Sequence, residues 1–335
     1  MIGWHRYRFI PAVDEGMRQL NVLDNWHGLV AYTRDVLLLI LSVAACVRLS
    51  WWCYPLALIV IGSRQRAFSN LLHESAHGTL AANRRLNLML GTVCAAYPIF
   101  QLHFAYKHSH VTRHHPHLGD PAADPDLRHH LEQGVYGPAT TRFRLLVAPA
   151  LGSKVAPYLW HLVRDRFLGS APDTVLSPAW RRRMRRDRIA FQVFWLIVLA
   201  ACAATGNLTA LLLFWIVPFL TVFQVIGWYI ELAEHTPLAL VNDVDLHMTR
   251  NRRSRGIELF LTGTYADNLH LDHHLDPRTP YWNLRAARRL RLADPGYAAV
   301  DAGFGGLFRK GPQGQPSALA AVLRDLDRLP AELRR

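Results

Sequence analysis

The chain has 335 residues, 51% of them hydrophobic and 19% charged, and its apolar residues are gathered into blocks that do not suit two ordinary soluble domains. Its net charge of +13 comes almost wholly from arginine, because Lys107, Lys154 and Lys310 are the only lysines. No zinc-finger spacing occurs and the basic residues flank apolar runs, which argues against a nucleic-acid-binding stripe and for contact with anionic lipid headgroups.

The first apolar run starts near residue 29 without a small-residue cleavage pattern after it, so it is expected to act as its own insertion signal. From Leu29 to Val47 its only charges are Arg34 and Asp35. After the turn at Arg48 a second run goes from Trp51 to Gly62 and continues, less apolar, towards His73. Leu86–Phe104 is interrupted by Gly91, Pro98 and Gln101, and Phe143–Phe167 mixes Leu, Val and Trp with Lys and Arg; both read as segments lying in the membrane interface. Two further runs cover 189–205 and 208–230, the last with Pro218 inside it. Beyond Pro280 the chain turns polar, and Ser317–Arg335 has helical periodicity with Pro330 near its end.

A bilayer crossing needs about 20 apolar residues per helix. The expected spans are therefore 29–47, 51–72, 189–205 and 208–230, although the shorter second and third runs also suit buried core helices. The turn near Arg48 carries one arginine and Thr205-Gly206-Asn207 none, whereas the flanking segments hold the run Arg181, Arg182, Arg183, Arg185, Arg186 and Arg188. The positive-inside rule then puts both termini and the long middle segment in the cytoplasm. The expected fold is an all-α integral membrane protein with four transmembrane helices in two hairpins. A cytoplasmic helical cap, 73–188 and 231–335, completes one domain over residues 1–335 of a multi-pass inner or plasma membrane protein.

Cys46, Cys53, Cys94 and Cys202 lie in apolar surroundings without a C-x-x-C pair and read as small buried hydrophobes. Chemistry is concentrated in histidine. Nine of the 18 histidines fall into His73-x3-His77, His110-x3-His114-His115 and His270-x2-His273-His274, with His235 apart, each just beyond an apolar segment. Residues three or four apart share one helix face, so each box can aim two or three imidazoles at one point. A single such histidine is more often a hydrogen-bonded structural residue than a ligand. Half of all the histidines in these spacings is not explained by packing, and nine imidazoles exceed what one ion takes, which points to two ions and to oxygen chemistry. For His103, His108, His117, His129, His130, His161 and His247 supporting or surface roles are expected, with His108 the substitute if the middle box is read out of register.

On these residues the chain resembles the membrane fatty acid desaturase and hydroxylase family, from about Leu29 to Leu290. His73, Glu74, His77 and Gly78 resemble its first box, and His110, His114 and His115 its second in the longer form. Gly119-Asp120-Pro121 with Asp124-Pro125-Asp126 is similar to the acidic stretch after that box in bacterial members. Asn268, His270, His273, His274, Pro277 and the run Pro280–Leu284 resemble the third box and its exit, and His235 the family's additional histidine. The resemblance implies a non-haem centre of two iron ions that uses O2 to remove hydrogen from an unactivated carbon of an acyl or related aliphatic substrate. The nine histidines would be its ligands. Glu74, Asp120, Asp124, Glu231 and Asp272 are the expected partners orienting imidazoles, from a wider set that includes Asp126, Glu234 and Asp267. For Asp120 and Asp124 ordinary turn roles weigh equally. No cytochrome-like segment is fused to the chain, so electrons are expected from a separate ferredoxin, rubredoxin or similar protein with its reductase. Desaturation, hydroxylation and carotenoid-type ketolation remain open on this scaffold, because they diverge on substrate position. A membrane metal-binding or transport protein is the remote alternative, disfavoured because the histidines lie outside the apolar runs.

Overall fold

The computed structural model describes residues 4–138, 140–168 and 176–333, so Arg334 and Arg335 of the expected C-terminal helix lie outside the described residues. The described residues are 69% helical and contain no strand beyond an isolated bridge between His5 and Val244. Among the described residues three helices are long and apolar enough to cross a membrane: His27–Arg48, Pro178–Ala204 and Leu208–Val241. A pair bent by 101°, Arg84–Ile99 with His103–His117, raises the number to four if it counts as one span. The all-helical membrane expectation is met. The described residues group into two compact units.

One unit comprises Asn25–His108 and Pro149–Ile226. Within it, His27–Arg48 packs against Tyr54–His77 across a core of Cys46, Ala57, Ile61 and Phe214. The turn between them is held by Ser50, whose hydroxyl accepts from Trp52 N, and Trp51 stacks on Phe214 at 5.8 Å. Tyr54–His77 is the expected second span. It is long enough to cross but is not among the three apolar crossings, because Ser63, Arg64, Gln65 and Asn70 interrupt it. These polar side chains are buried against neighbouring helices. Arg64 Nη1 reaches Asp35 Oδ1 at 3.2 Å, with both side chains at 1% exposure or less. Removing either partner from such a pair would strand a charge away from water. Gly62 lets the helix approach the Phe219–Phe223 segment closely, since a Cβ there would come within 2.5 Å of Val222.

In the expected interfacial stretch, Phe100 takes a left-handed backbone (φ 57) just after Pro98 and breaks the helix. Asp187 of Pro178–Ala204 ties the two sides of the break, accepting from Tyr97 Oη at 2.8 Å and Phe104 N at 2.9 Å. Around Pro218, whose nitrogen cannot donate, the last apolar helix opens into wider π-type turns at Leu212–Ile216 and Phe219–Phe223.

The other unit comprises Met1–Asp24, Ser109–Ala148 and Gly227–Arg335. The Pro11–Leu20 helix lays Val13 and Met17 on Ala287 of Leu284–Arg291. Leu246, Leu271 and Tyr297 form a second small core beneath the third histidine box. The C-terminal helix Ala318–Asp327 starts at Ser317, whose side chain accepts from Ala320 N. Short helices dominate this unit, and Asp124, Asp294 and Ser317 cap three of them.

Candidate metal centre

The first box ends the Tyr54–His77 helix, with the His73 and His77 rings one turn apart and 4.8 Å between centroids. The helix stops at Gly78 in a left-handed conformation (φ 85), which glycine adopts without strain. Thr79 Oγ1 donates to Glu74 Oε2 at 2.8 Å, and Glu74 Oε1 lies 3.6 Å from His73 Nδ1.

The other seven histidines belong to the second unit described above, and there they converge. His115 Nε2 lies 3.1 Å from His110 Nε2 and 3.2 Å from His273 Nε2. His270 Nε2 lies 3.0 Å from His235 Nε2 and 3.1 Å from His274 Nε2. Ligand atoms of His114, His235 and His274 all fall within 4.8 Å of one another. Local folding explains the aim: His110–His114 sits on a widened helical turn, and His270, His273 and His274 share the six-residue helix His270–Leu275.

Behind the rings stand carboxylates. His114 Nδ1 meets Asp124 Oδ1 at 2.9 Å, both residues being 1% exposed, and Asp126 Oδ2 is 3.4 Å away. Asp124 also caps the Pro125–Glu132 helix by accepting from Asp126 N at 3.0 Å and Leu127 N at 3.4 Å, and it accepts from Gly119 N at 3.1 Å. Glu234 Oε1 lies 3.5 Å from His270 Nδ1 and accepts from Arg252 Nη2 at 3.1 Å. Asp120 instead accepts from Ala122 N and Ala123 N, an ordinary turn. Glu231 is exposed, whereas Glu234, three residues on, is buried. Asp272 faces away from the imidazoles, accepting from Arg291 Nη1 at 2.7 Å, Tyr297 Oη at 2.7 Å and Asn251 Nδ2 at 2.8 Å.

This donor set fits metal ions. Two imidazole nitrogens about 3 Å apart match the edge of a site whose metal–nitrogen bonds are about 2.0–2.1 Å long. The Nε2 of His114 is buried and has no hydrogen-bond partner, while its Nδ1 is held by a carboxylate. With Nδ1 so held, Nε2 is the atom His114 can offer a metal. Burial, and then crowding by His115, His270, His235 and His114, holds the His274 imidazole well below its ordinary proton affinity. A neutral ring is the form that binds a metal.

Outside the cluster, His108 packs against Trp180 at 5.3 Å, His130 bonds to Thr236 Oγ1 at 3.2 Å, and His5, His117, His129 and His247 are exposed. Arg250, Asn251, Arg252, Arg291 and Tyr297 support the cluster and were not among the expected residues. In an arginine-rich chain, a buried arginine carries no local signal that separates it from the exposed ones at 181–186.

The family model for fatty acid desaturases matches residues 49–302. Dihydrorhizobitoxine desaturase of Bradyrhizobium elkanii is 42% identical over 322 residues, covering 95% of this chain and 90% of that protein. Beta-carotene 4-ketolase of Protosiphon botryoides is 25% identical over 71% of this chain and 52% of its own length. Zeaxanthin 4-ketolase of Chlamydomonas reinhardtii is 24% identical over 65% of this chain and 40% of its own. With the family model spanning most of the sequence and a desaturase alike along nearly all of it, the chain belongs to the fatty acid desaturase family and is an oxidoreductase.

Proposed function

We propose that the chain is a multi-pass membrane desaturase that uses O2 and two iron ions to introduce a double bond into an aliphatic substrate. The nine ligands are His73, His77, His110, His114, His115, His235, His270, His273 and His274. The observation that carries this reading is the convergence of His110, His115 and His273, and of His235, His270 and His274, at nitrogen separations of 3.0–3.2 Å. Bound iron supplies the dioxygen chemistry that removes hydrogen from an unactivated carbon.

The protein's own groups do the rest. Asp124 at His114 Nδ1, and Glu234, fixed by Arg252 and 3.5 Å from His270 Nδ1, would favour the tautomer that leaves each Nε2 to the metal. Burial of the His114 and His270 rings limits bulk water at the cluster itself. The chain is one desaturase domain over residues 1–335, with its spans in two hairpins at about 29–47, 51–72, 189–205 and 208–230. The arginine run at 181–188 and the charge-poor turn at 206 support cytoplasmic termini and a cytoplasmic cap carrying all the boxes. Its basic residues would draw in an acidic electron carrier such as a ferredoxin or rubredoxin.

For the substrate, the 42% identity along nearly the whole length favours dihydrorhizobitoxine or a close analogue over a membrane acyl lipid. The two ketolase relatives favour, as a second reading, oxygenation of a carotenoid-type ring. Expression in a membrane host with a suitable electron donor, followed by mass spectrometry of lipids and small metabolites, separates them. Loss of two hydrogens from added dihydrorhizobitoxine supports the first reading. Gain of oxygen on a carotenoid, with no desaturated product, replaces it by the second.

A further inference from the structure

Between His235 and the third box runs Met248-Thr249-Arg250-Asn251-Arg252, a stretch without regular secondary structure in which every residue is at most 2% exposed. Irregular backbone carrying two arginines belongs at the surface unless each polar group has a partner. Here most of the side-chain polar atoms find partners, many of them on the helices and carboxylates that carry the histidine cluster. The Met248 carbonyl lies 3.3 Å from His235 Nδ1. Thr249 Oγ1 donates to the Glu234 carbonyl at 3.0 Å. Arg250 donates to the carbonyls of Ala233 at 3.0 Å and Thr236 at 2.9 Å, where the helix bearing His235 ends and leaves acceptors without intrahelical partners.

The next two residues address the third box. Its helix begins at His270 with Leu269 before it, a residue whose side chain cannot cap. Asn251 supplies the cap from a distance: its Oδ1 accepts from Leu271 N at 3.1 Å, and its Nδ2 donates to Asp272 Oδ2 and Asp301 Oδ1, each at 2.8 Å. Arg252 spreads its fork over Glu234 Oε1 at 3.1 Å, Asp267 Oδ2 at 2.8 Å and the Thr262 carbonyl at 3.1 Å. Glu234 in turn backs His270.

We propose that residues 248–252 are a positioning strap which fixes His235 and the third histidine box relative to each other, with Asn251 and Arg252 as its principal positioning residues. The strap reaches imidazole through the Met248 carbonyl and acts mainly on the helices and the carboxylate behind the rings. Its role rests on the two-iron reading above. Loss of such outer support typically weakens metal binding about 10- to 100-fold.

The test uses the full-length protein in detergent and two measurements: Fe(II) affinity by chelator competition, and the melting temperature of the chelator-stripped protein. Asn251→Ala is expected to lower the affinity at least about tenfold, in the range given for such support. Glu258→Gln serves as the control, because Glu258 holds only the C-terminal loop through Leu307 N, Phe308 N and Arg309 N; it is expected to melt earlier and to keep its iron. An Asn251→Ala protein that melts earlier while binding iron like the wild type overturns the proposal, since that is what a purely structural role produces. If that variant does not insert, Arg252→Lys decides: a compact ammonium cannot reach the Thr262 carbonyl held by Nη1 together with the Glu234 and Asp267 carboxylates held by Nη2, so affinity should fall, and unchanged affinity overturns the proposal. Wild-type protein that takes up no iron refutes the two-iron reading itself and the strap's function with it; wild type that binds iron, with both variants equal to it, refutes the strap alone.

Discussion

Asp124 does two jobs that substitution can separate. Asp124→Ala removes the cap on Pro125–Glu132, the acceptor for Gly119 N and the partner of the buried His114 Nδ1. The cap contributes about 1 kcal/mol. A lost hydrogen bond at Gly119 costs about 1 kcal/mol more, and leaving a buried ring nitrogen without a partner costs about 1–3 kcal/mol. The alanine variant should therefore lose roughly 3–5 kcal/mol. Asp124→Asn keeps a good capping oxygen and sacrifices mainly the Gly119 contact, so it should lose only about 1 kcal/mol. Both variants lack the carboxylate that orients His114, and both should hold iron about 10- to 100-fold less tightly. Thermal melts of the metal-stripped proteins read the first effect, and chelator competition with turnover reads the second. An asparagine variant that keeps wild-type iron affinity and turnover would refute the reasoning and leave Asp124 as a turn and cap residue only.

Replacing His77, His115, His235 or His274 by alanine should abolish oxidation while the protein still inserts, whereas the same change at His5, His27 or His247 should be tolerated; normal activity and iron content in His235→Ala would remove that residue from the ligand set. Arg291→Met should destabilise by about 3–5 kcal/mol by stranding the buried Asp272 carboxylate, and the double variant Asp272→Asn/Arg291→Met should recover part of the loss, both read by thermal melting in detergent. Reporter fusions at residue 206 should read outside, and fusions at residues 130 and 335 inside; opposite sides for 130 and 335 would separate the second and third boxes and end the shared-site reading.

The histidines were legible because ligand chemistry forces a short helical spacing, and seven of them meet within one unit as those spacings require. Their carboxylate partners were less so. Glu231 stands one turn before His235 and was the natural choice, yet Glu234 is the carboxylate at His270, because the third box arrives from a direction no helical period encodes. The Tyr54–His77 helix shows the same limit for packing: in the sequence Arg64 is one more charge, and only the structure sets Asp35 of the neighbouring helix beside it. Gly91, Pro98 and Gln101 marked the stretch as interrupted, but a left-handed aromatic residue at Phe100 is not something sequence signals. The strap at 248–252 was least legible of all, since its arginines differ from those at 181–186 only in what surrounds them.

Metal analysis of the purified, detergent-solubilised full-length protein, paired with turnover after reconstitution, bears most directly on the two-iron mechanism. The account predicts close to two irons for each set of nine histidine ligands, little zinc, and activity that follows iron content. Zinc as the dominant native metal, with added iron unable to support oxidation, would contradict it.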